Sequence, residues 1–137
     1  MYLVDTNVWL ELLLARARAD EVRQFFNEIE TDLLAITEFS LYSMGIILTH
    51  LNKGEIFENF LSDIFDDSGV MRIRLDIDDL RKLPHLQKRH QLDFDDAYQY
   101  LSAEQYGYVI VSFDHDFDGT PLGRKTPAQI IEELARS

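Results

Sequence analysis

Short apolar runs separated by polar, cap-forming residues divide the chain into alternating strands and helices. Residues 2–5 (Tyr-Leu-Val-Asp), 32–36 (Asp-Leu-Leu-Ala-Ile), 70–73 (Val-Met-Arg-Ile) and 108–112 (Tyr-Val-Ile-Val-Ser) read as strands, the first of them buried on both faces. Between them, apolar residues recur at helical spacing. Residues 8–14 suit a first helix, capped by Thr6 or Asn7. Asp20 and Glu21 open a second, with Val22, Phe25, Phe26 and Ile29 on one side. Thr37 is placed to cap a helix that runs from Glu38 through Leu41, Met44 and Leu48 to a break at Lys53-Gly54. Residues 55–65 form a further amphipathic helix, stopped at Ser68-Gly69. Residues 76–91 are helical in character, with an interruption or bend expected at Pro84. Asp95 and Asp96 lead a helix that ends at Gly107, and Thr126-Pro127 starts the last one. The stretch between is turn-like, with at most a stub of a fifth strand near Leu122.

This alternation predicts one α/β domain over residues 1–137. The expected architecture is a three-layer α/β/α sandwich on a short parallel sheet of four or five strands. In such folds functional groups gather outside the carboxyl ends of the strands. Acids stand at those places. Asp5 closes the first strand, Glu38 starts the helix after the second, Asp96 starts a later helix, and Asp114 follows the fourth strand. Asp116 is expected nearby, as a supplement or a turn residue. No Lys or Arg lies within ten residues of Asp5, so its charge needs another partner near the core. Carboxylates brought together repel one another, and a hard divalent ion relieves that repulsion. The oxygen-only donor set points to Mg²⁺ or Mn²⁺, and the chemistry implied is metal-assisted hydrolysis of a phosphodiester.

Composition narrows the alternatives. Thirteen basic against 25 acidic residues leave a net charge of −12, which argues against a general nucleic-acid coat. It allows an enzyme that grips phosphates through cations, or a protein that binds a basic partner. Cysteine is absent, so disulfides, thiolate metal sites and cysteine nucleophiles are excluded. No apolar stretch is long enough to span a membrane. Asp5 and Glu11 interrupt the apolar start, so no secretory leader is expected and a cytoplasmic location follows. Ser40, Ser43 and Ser112 lack a matched histidine base, and no glycine-rich loop follows any strand. An aspartate-nucleophile phosphatase needs a second Asp where this chain has Asn7.

The motifs together resemble PIN domains. The residues that carry the likeness are Tyr2 to Val8, Thr37-Glu38-Phe39, Leu92 to Ala97 with Tyr106-Gly107, Val109 to Phe117, and Thr126 to Ile131. Within that family the chain is similar to the VapC toxins of toxin–antitoxin pairs. The resemblance implies a Mg²⁺- or Mn²⁺-dependent endoribonuclease with metal-site acids Asp5, Glu38, Asp96 and Asp114, supplemented by Asp116. Asn7 and Ser112 match small polar positions beside the acids. It also implies a homodimer and a small antitoxin that blocks the cleft and binds operator DNA, so that DNA is reached only through the antitoxin. A catalytically silent PIN-like interaction or RNA-binding module is the alternative.

Other features are weaker. Arg72, Arg74, Arg81, Lys82, Lys88 and Arg89 cluster in the sequence and are candidates for RNA contact, as are Arg124 and Lys125. Arg16, Arg18 and Arg23 read as surface residues or antitoxin contacts. Tyr98 is either a stacking platform for a base or an aromatic packed on the sheet.

Overall fold

A computed structural model describes residues 1–137. Four short strands, β1 (Tyr2–Val4), β2 (Leu34–Thr37), β3 (Met71–Ile73) and β4 (Val109–Val111), form one parallel sheet in the order β3-β2-β1-β4. Leu3 stands opposite Ala35 on one side and Ile110 on the other. The chain adds β2 and β3 to one edge of β1, then crosses back to place β4 on the opposite edge. The carboxyl ends of β1 and β4 therefore meet at the point where the winding reverses, the place where open α/β sheets hold their ligands.

The period of two along each strand separates two cores. Val4, Leu34, Ile36 and Val111 face one side, and Leu3, Ala35, Ile73 and Ile110 face the other. The first side is covered by α1 (Thr6–Leu13), α2 (Ala19–Glu28), α3 (Glu38–His50), α4 (Gly54–Leu61) and, later in the chain, α7 (Pro127–Ala135). The second is covered by α5 (Ile77–His90) and α6 (Phe94–Tyr106). The expected α/β/α sandwich is thus the observed one. The abundance of aromatics in the early helices is accounted for inside the first core. Trp9 stacks on Phe26 at 4.6 Å and meets Phe60 edge-on at 5.2 Å, while its indole N–H donates to the Val4 carbonyl at 3.2 Å.

Three local expectations change. The cap of α1 is Asp5 itself, whose carboxylate accepts the Thr6 N–H at 2.8 Å, and Thr6 and Asn7 lie inside the helix. Helix α5 passes Pro84 without interruption. Its start is locked by a reciprocal Asp76–Asp79 capping box, its end by Gln91 at φ 55°, and Leu83 and Leu86 bury its inner face. Those restraints outweigh the one backbone hydrogen bond that proline forfeits. The fifth strand reduces to a single parallel bridge at Lys125, three residues beyond the expected stub. Lys125 donates to Ile110 O at 2.8 Å and accepts from Ser112 N at 3.0 Å, so it caps the β4 edge.

Gly107 ends α6 at φ 70°, and a Cβ there meets nothing within 4 Å. The cost of a side chain is therefore backbone strain alone. Gly107→Ala is expected to lower the unfolding free energy in urea by about 1 kcal/mol. Gly54→Ala, equally open but at ordinary φ, is expected to leave it unchanged or raise it.

Candidate metal centre

The site is built from the ends of β1 and β4 and the first turn of α6. The Asp5 N–H donates to Val111 O at 2.9 Å, which extends the β1–β4 ladder and fixes Asp5 at the switch point. Ser112 to Asp114 continue β4. There the Asp114 N–H donates to Ser112 Oγ at 2.9 Å, and the Asp114 carboxylate accepts the Asp116 N–H at 2.8 Å. Asp93 caps α6 by accepting the Asp96 N–H at 3.0 Å, which brings Asp96 to the same end of the sheet.

Asp96, Asp114 and Asp116 each present an oxygen, and these atoms lie within 4.8 Å of one another. Asp96 is buried, and its Oδ2 has no hydrogen-bond partner. A buried carboxylate oxygen without a partner is costly. Burial, together with the charges of Asp114 and Asp93, pushes the Asp96 carboxyl up to about 9. Asp5 beside it is buried but fully engaged. Its Oδ1 accepts from Thr6 N and from Gln99 Nε2, both at 2.8 Å, and its Oδ2 accepts from Ser112 Oγ at 2.7 Å. Burial raises the Asp5 carboxyl, and the hydrogen bonds from Gln99, Ser112 and Thr6 oppose that rise. Asp5, Asp96 and Asp114 open onto a cleft of about 390 Å³ whose other walls include Phe39, Ile46 and Ile47. The donor set is all carboxylate, and its orphaned oxygen lacks only a positive partner, so the residues present fit a hard divalent cation.

The PIN-domain family model matches residues 2–121. The chain belongs to the PIN-domain family. No curated protein matches this PIN domain. Solved structures share its fold at low sequence identity. A toxin–antitoxin complex from Klebsiella pneumoniae aligns with a TM-score of 0.73 and 20% identity, over 93% of this chain and 98% of that one. VapC20 of Mycobacterium tuberculosis, a toxin that cleaves the sarcin–ricin loop, aligns with a TM-score of 0.77 and 17% identity, over 89% and 96%. FitAcB of Neisseria gonorrhoeae aligns with a TM-score of 0.67 and 16% identity, over 93% and 98%.

In this PIN domain the structure gathers Asp5, Asp96 and Asp114 on one cleft, with Asp116 completing the close cluster. Asp116 is nearer the centre than its sequence position suggests. Glu38 does stand at the carboxyl end of β2, but its carboxylate accepts the Tyr42 hydroxyl and does not line the cleft. Asn7 and Ser112 hold the acids in place. Asn7 Nδ2 donates to Ser112 Oγ at 3.2 Å, and Asn7 Oδ1 accepts the Phe113 N–H at 3.2 Å.

Sequence reasoning missed Gln99. It is buried, donates to Asp5 and to Ser40 Oγ at 2.8 Å each, and accepts from the Thr37 hydroxyl at 2.7 Å. Its signal was a lone amide three residues after Asp96, hence on the same helix face. Tyr98 packs on the sheet with its oxygen accepting the Leu75 N–H at 3.0 Å, so it is no base platform. The part of the basic segment on α5 faces elsewhere, whereas Arg72 and Arg74, on and just after β3, act on the Tyr42 hydroxyl that meets Glu38. Arg81 and Lys82 pair with Asp78 and Asp79, and Lys82, His85 and Arg89 border a separate depression against α6. Arg124 is held by Asp118 and the Ser112 carbonyl, and Lys125 pairs with Glu133.

The raised Asp96 carboxyl gives a pH prediction with a definite sign. The folded protein holds this proton more tightly than the unfolded chain, whose value is near 3.8. The stabilisation is complete below that value and is lost as the pH rises through about 9. In chelator, Asp96→Asn is therefore expected to raise the thermal midpoint, and by more at pH 8 than at pH 5. An equal shift at both values excludes the effect.

Proposed function

We propose that this PIN domain is a divalent-metal-dependent endoribonuclease and the toxin of a toxin–antitoxin pair. The observation that carries the reading is the unpartnered, buried Asp96 oxygen facing two further carboxylates at the switch point of the sheet. Membership of the PIN family supports it, as do the fold neighbours named as toxins, one of which is a toxin that cleaves the sarcin–ricin loop.

In this reading Asp5, Asp96 and Asp114 hold the ion, with Asp116 as an added ligand. Glu38, whose carboxylate accepts the Tyr42 hydroxyl in this structure, is the fourth acid of the proposal and would have to leave that partner to reach the ion. Bound Mg²⁺ or Mn²⁺ offsets the acidic field, lowers the pKa of water and stabilises charge building on the phosphate oxygens. The rest is done by the chain. Gln99, Ser112 and the Thr6 N–H donate to Asp5 and oppose the rise that burial gives its carboxyl. Asn7 fixes Ser112, so that the hydroxyl cannot turn away from Asp5. Phe39, Ile46 and Ile47 form an apolar wall that shapes the cleft around single-stranded RNA. The remaining parts of the proposal are a second copy of the chain as partner and a small antitoxin that covers the cleft. Contact with operator DNA runs through that antitoxin, in keeping with a fold neighbour, FitAB, solved with a DNA fragment. The place of action is the cytoplasm, and no helix is long and apolar enough to cross a membrane.

The purified protein is expected to cleave single-stranded RNA in Mg²⁺ or Mn²⁺ and to be inert in EDTA. Asp96→Asn and Asp114→Asn should each reduce cleavage to the EDTA level while circular dichroism stays that of the folded chain. Metal-independent cleavage, or full activity in both variants, defeats the proposal. Gln99→Ala is expected to weaken Mn²⁺ binding by about 10- to 100-fold in a calorimetric titration, the usual consequence of losing a partner that orients a ligand.

A further inference from the structure

An acidic cleft that works on a phosphodiester must also attract one. Four carboxylates, Asp5, Asp95, Asp96 and Asp114, border this cleft, and the one basic side chain on its wall is Arg16. Arg16 is exposed and takes part in none of the ion pairs of the molecule. A guanidinium close to carboxylates yet bonded to none of them has its donor fork free for another anion.

Its backbone is held firmly. Arg16 lies in the turn between α1 and α2, just after Ala15 at φ 50°. Its N–H donates to Glu11 O at 3.0 Å, and its carbonyl accepts the Ala19 N–H at 3.0 Å. Two residues on, the Arg18 N–H donates to Glu11 Oε2 at 2.8 Å, and the Arg18 guanidinium lies 4.0 Å over the ring of Phe113. Phe113 immediately precedes Asp114. The turn is thus strapped to the segment that carries a metal-site acid, and Arg16 rides on that strap at the cleft.

We propose that Arg16 is a phosphate-binding residue of this cleft. Its guanidinium takes the non-bridging oxygens of the RNA phosphodiester presented to the carboxylates, and Arg18 on Phe113 positions it. Guanidinium suits this task because its planar fork matches two phosphate oxygens at once and it stays charged at every relevant pH. On the wall of the cleft that the acids border, it supplies an anion site in a chain whose net charge of −12 otherwise opposes RNA. The inference rests on the ribonuclease reading and extends it to substrate binding.

The test measures binding of a fluorescein-labelled single-stranded RNA by anisotropy in Mg²⁺, in an Asp96→Asn background, over a range of salt concentrations. Adding Arg16→Ala is expected to weaken binding by about 10- to 100-fold, the loss of one hydrogen bond to a charged group. The slope of log affinity against log salt should fall by about 0.7, the contribution of one phosphate contact on a single strand. Arg16→Lys should restore the slope but only part of the affinity. Phe113→Leu, which removes the ring under Arg18, should weaken binding while the slope stays unchanged. In the otherwise wild-type protein, Arg16→Ala should bind Mn²⁺ as well as or better than before, because a positive charge has left the cleft. Unchanged RNA affinity and slope in Arg16→Ala, or a loss of its Mn²⁺ binding, overturns the assignment. If wild-type protein cleaves RNA and Arg16→Ala has no effect, this inference alone falls. If wild-type protein cleaves no RNA, the nuclease reading falls first.

Discussion

Carboxylates crowded at one end of the sheet, two of them buried, are the constraint around which this molecule is arranged. The parallel order β3-β2-β1-β4 brings the ends of β1 and β4 side by side, and the α6 N-terminus closes over them. Asp5 tolerates that position because three donors converge on it. Asp96 does not share that protection, since one of its oxygens is buried without a partner beside Asp114 and Asp116. The fold thus solves the electrostatic problem for one acid and leaves it open for the next. A site left open in this way is a receptor for positive charge.

The polar network that protects Asp5 also joins parts of the chain that the two apolar cores keep apart. Gln99 reaches from α6 to Asp5 after β1, to Thr37 at the end of β2, and to Ser40 in α3. Ser112 and Asn7 do the same between β4 and α1. Each member is buried or half-buried and is satisfied by the others, which is the condition under which a polar core rigidifies a site. The acids therefore sit on a stiff frame, and the cost of their repulsion falls on stability rather than on geometry. A cation bound only by the folded state returns that stability by mass action.

Charge is organised on two scales. Over the whole molecule, acidic residues dominate. Some basic side chains near the carboxyl end of the sheet are tied to local acids, as Arg18 is to Glu21 and Arg124 to Asp118. Arg16 is unpaired at the cleft itself. Local placement, not net charge, decides what such a cleft accepts.

The strand and helix pattern, the parallel sandwich and the positions of Asp5, Asp96 and Asp114 at strand or helix ends were legible in the chain because hydrophobic period and capping act over a few neighbouring residues. Local competition could be misjudged. Thr6 and Asn7 were plausible caps until Asp5 took the role, and Pro84 implied a break that a capping box and two buried leucines prevent. What lay beyond the sequence were facts of distance between remote segments. Gln99 meets Asp5 across 94 positions, Glu38 meets Tyr42, and Arg16 comes to share a cleft with acids from far along the chain. Local preferences determine which elements form. Only packing those elements together determines which side chains meet, because rotamer and register are chosen by neighbours that the linear order does not reveal.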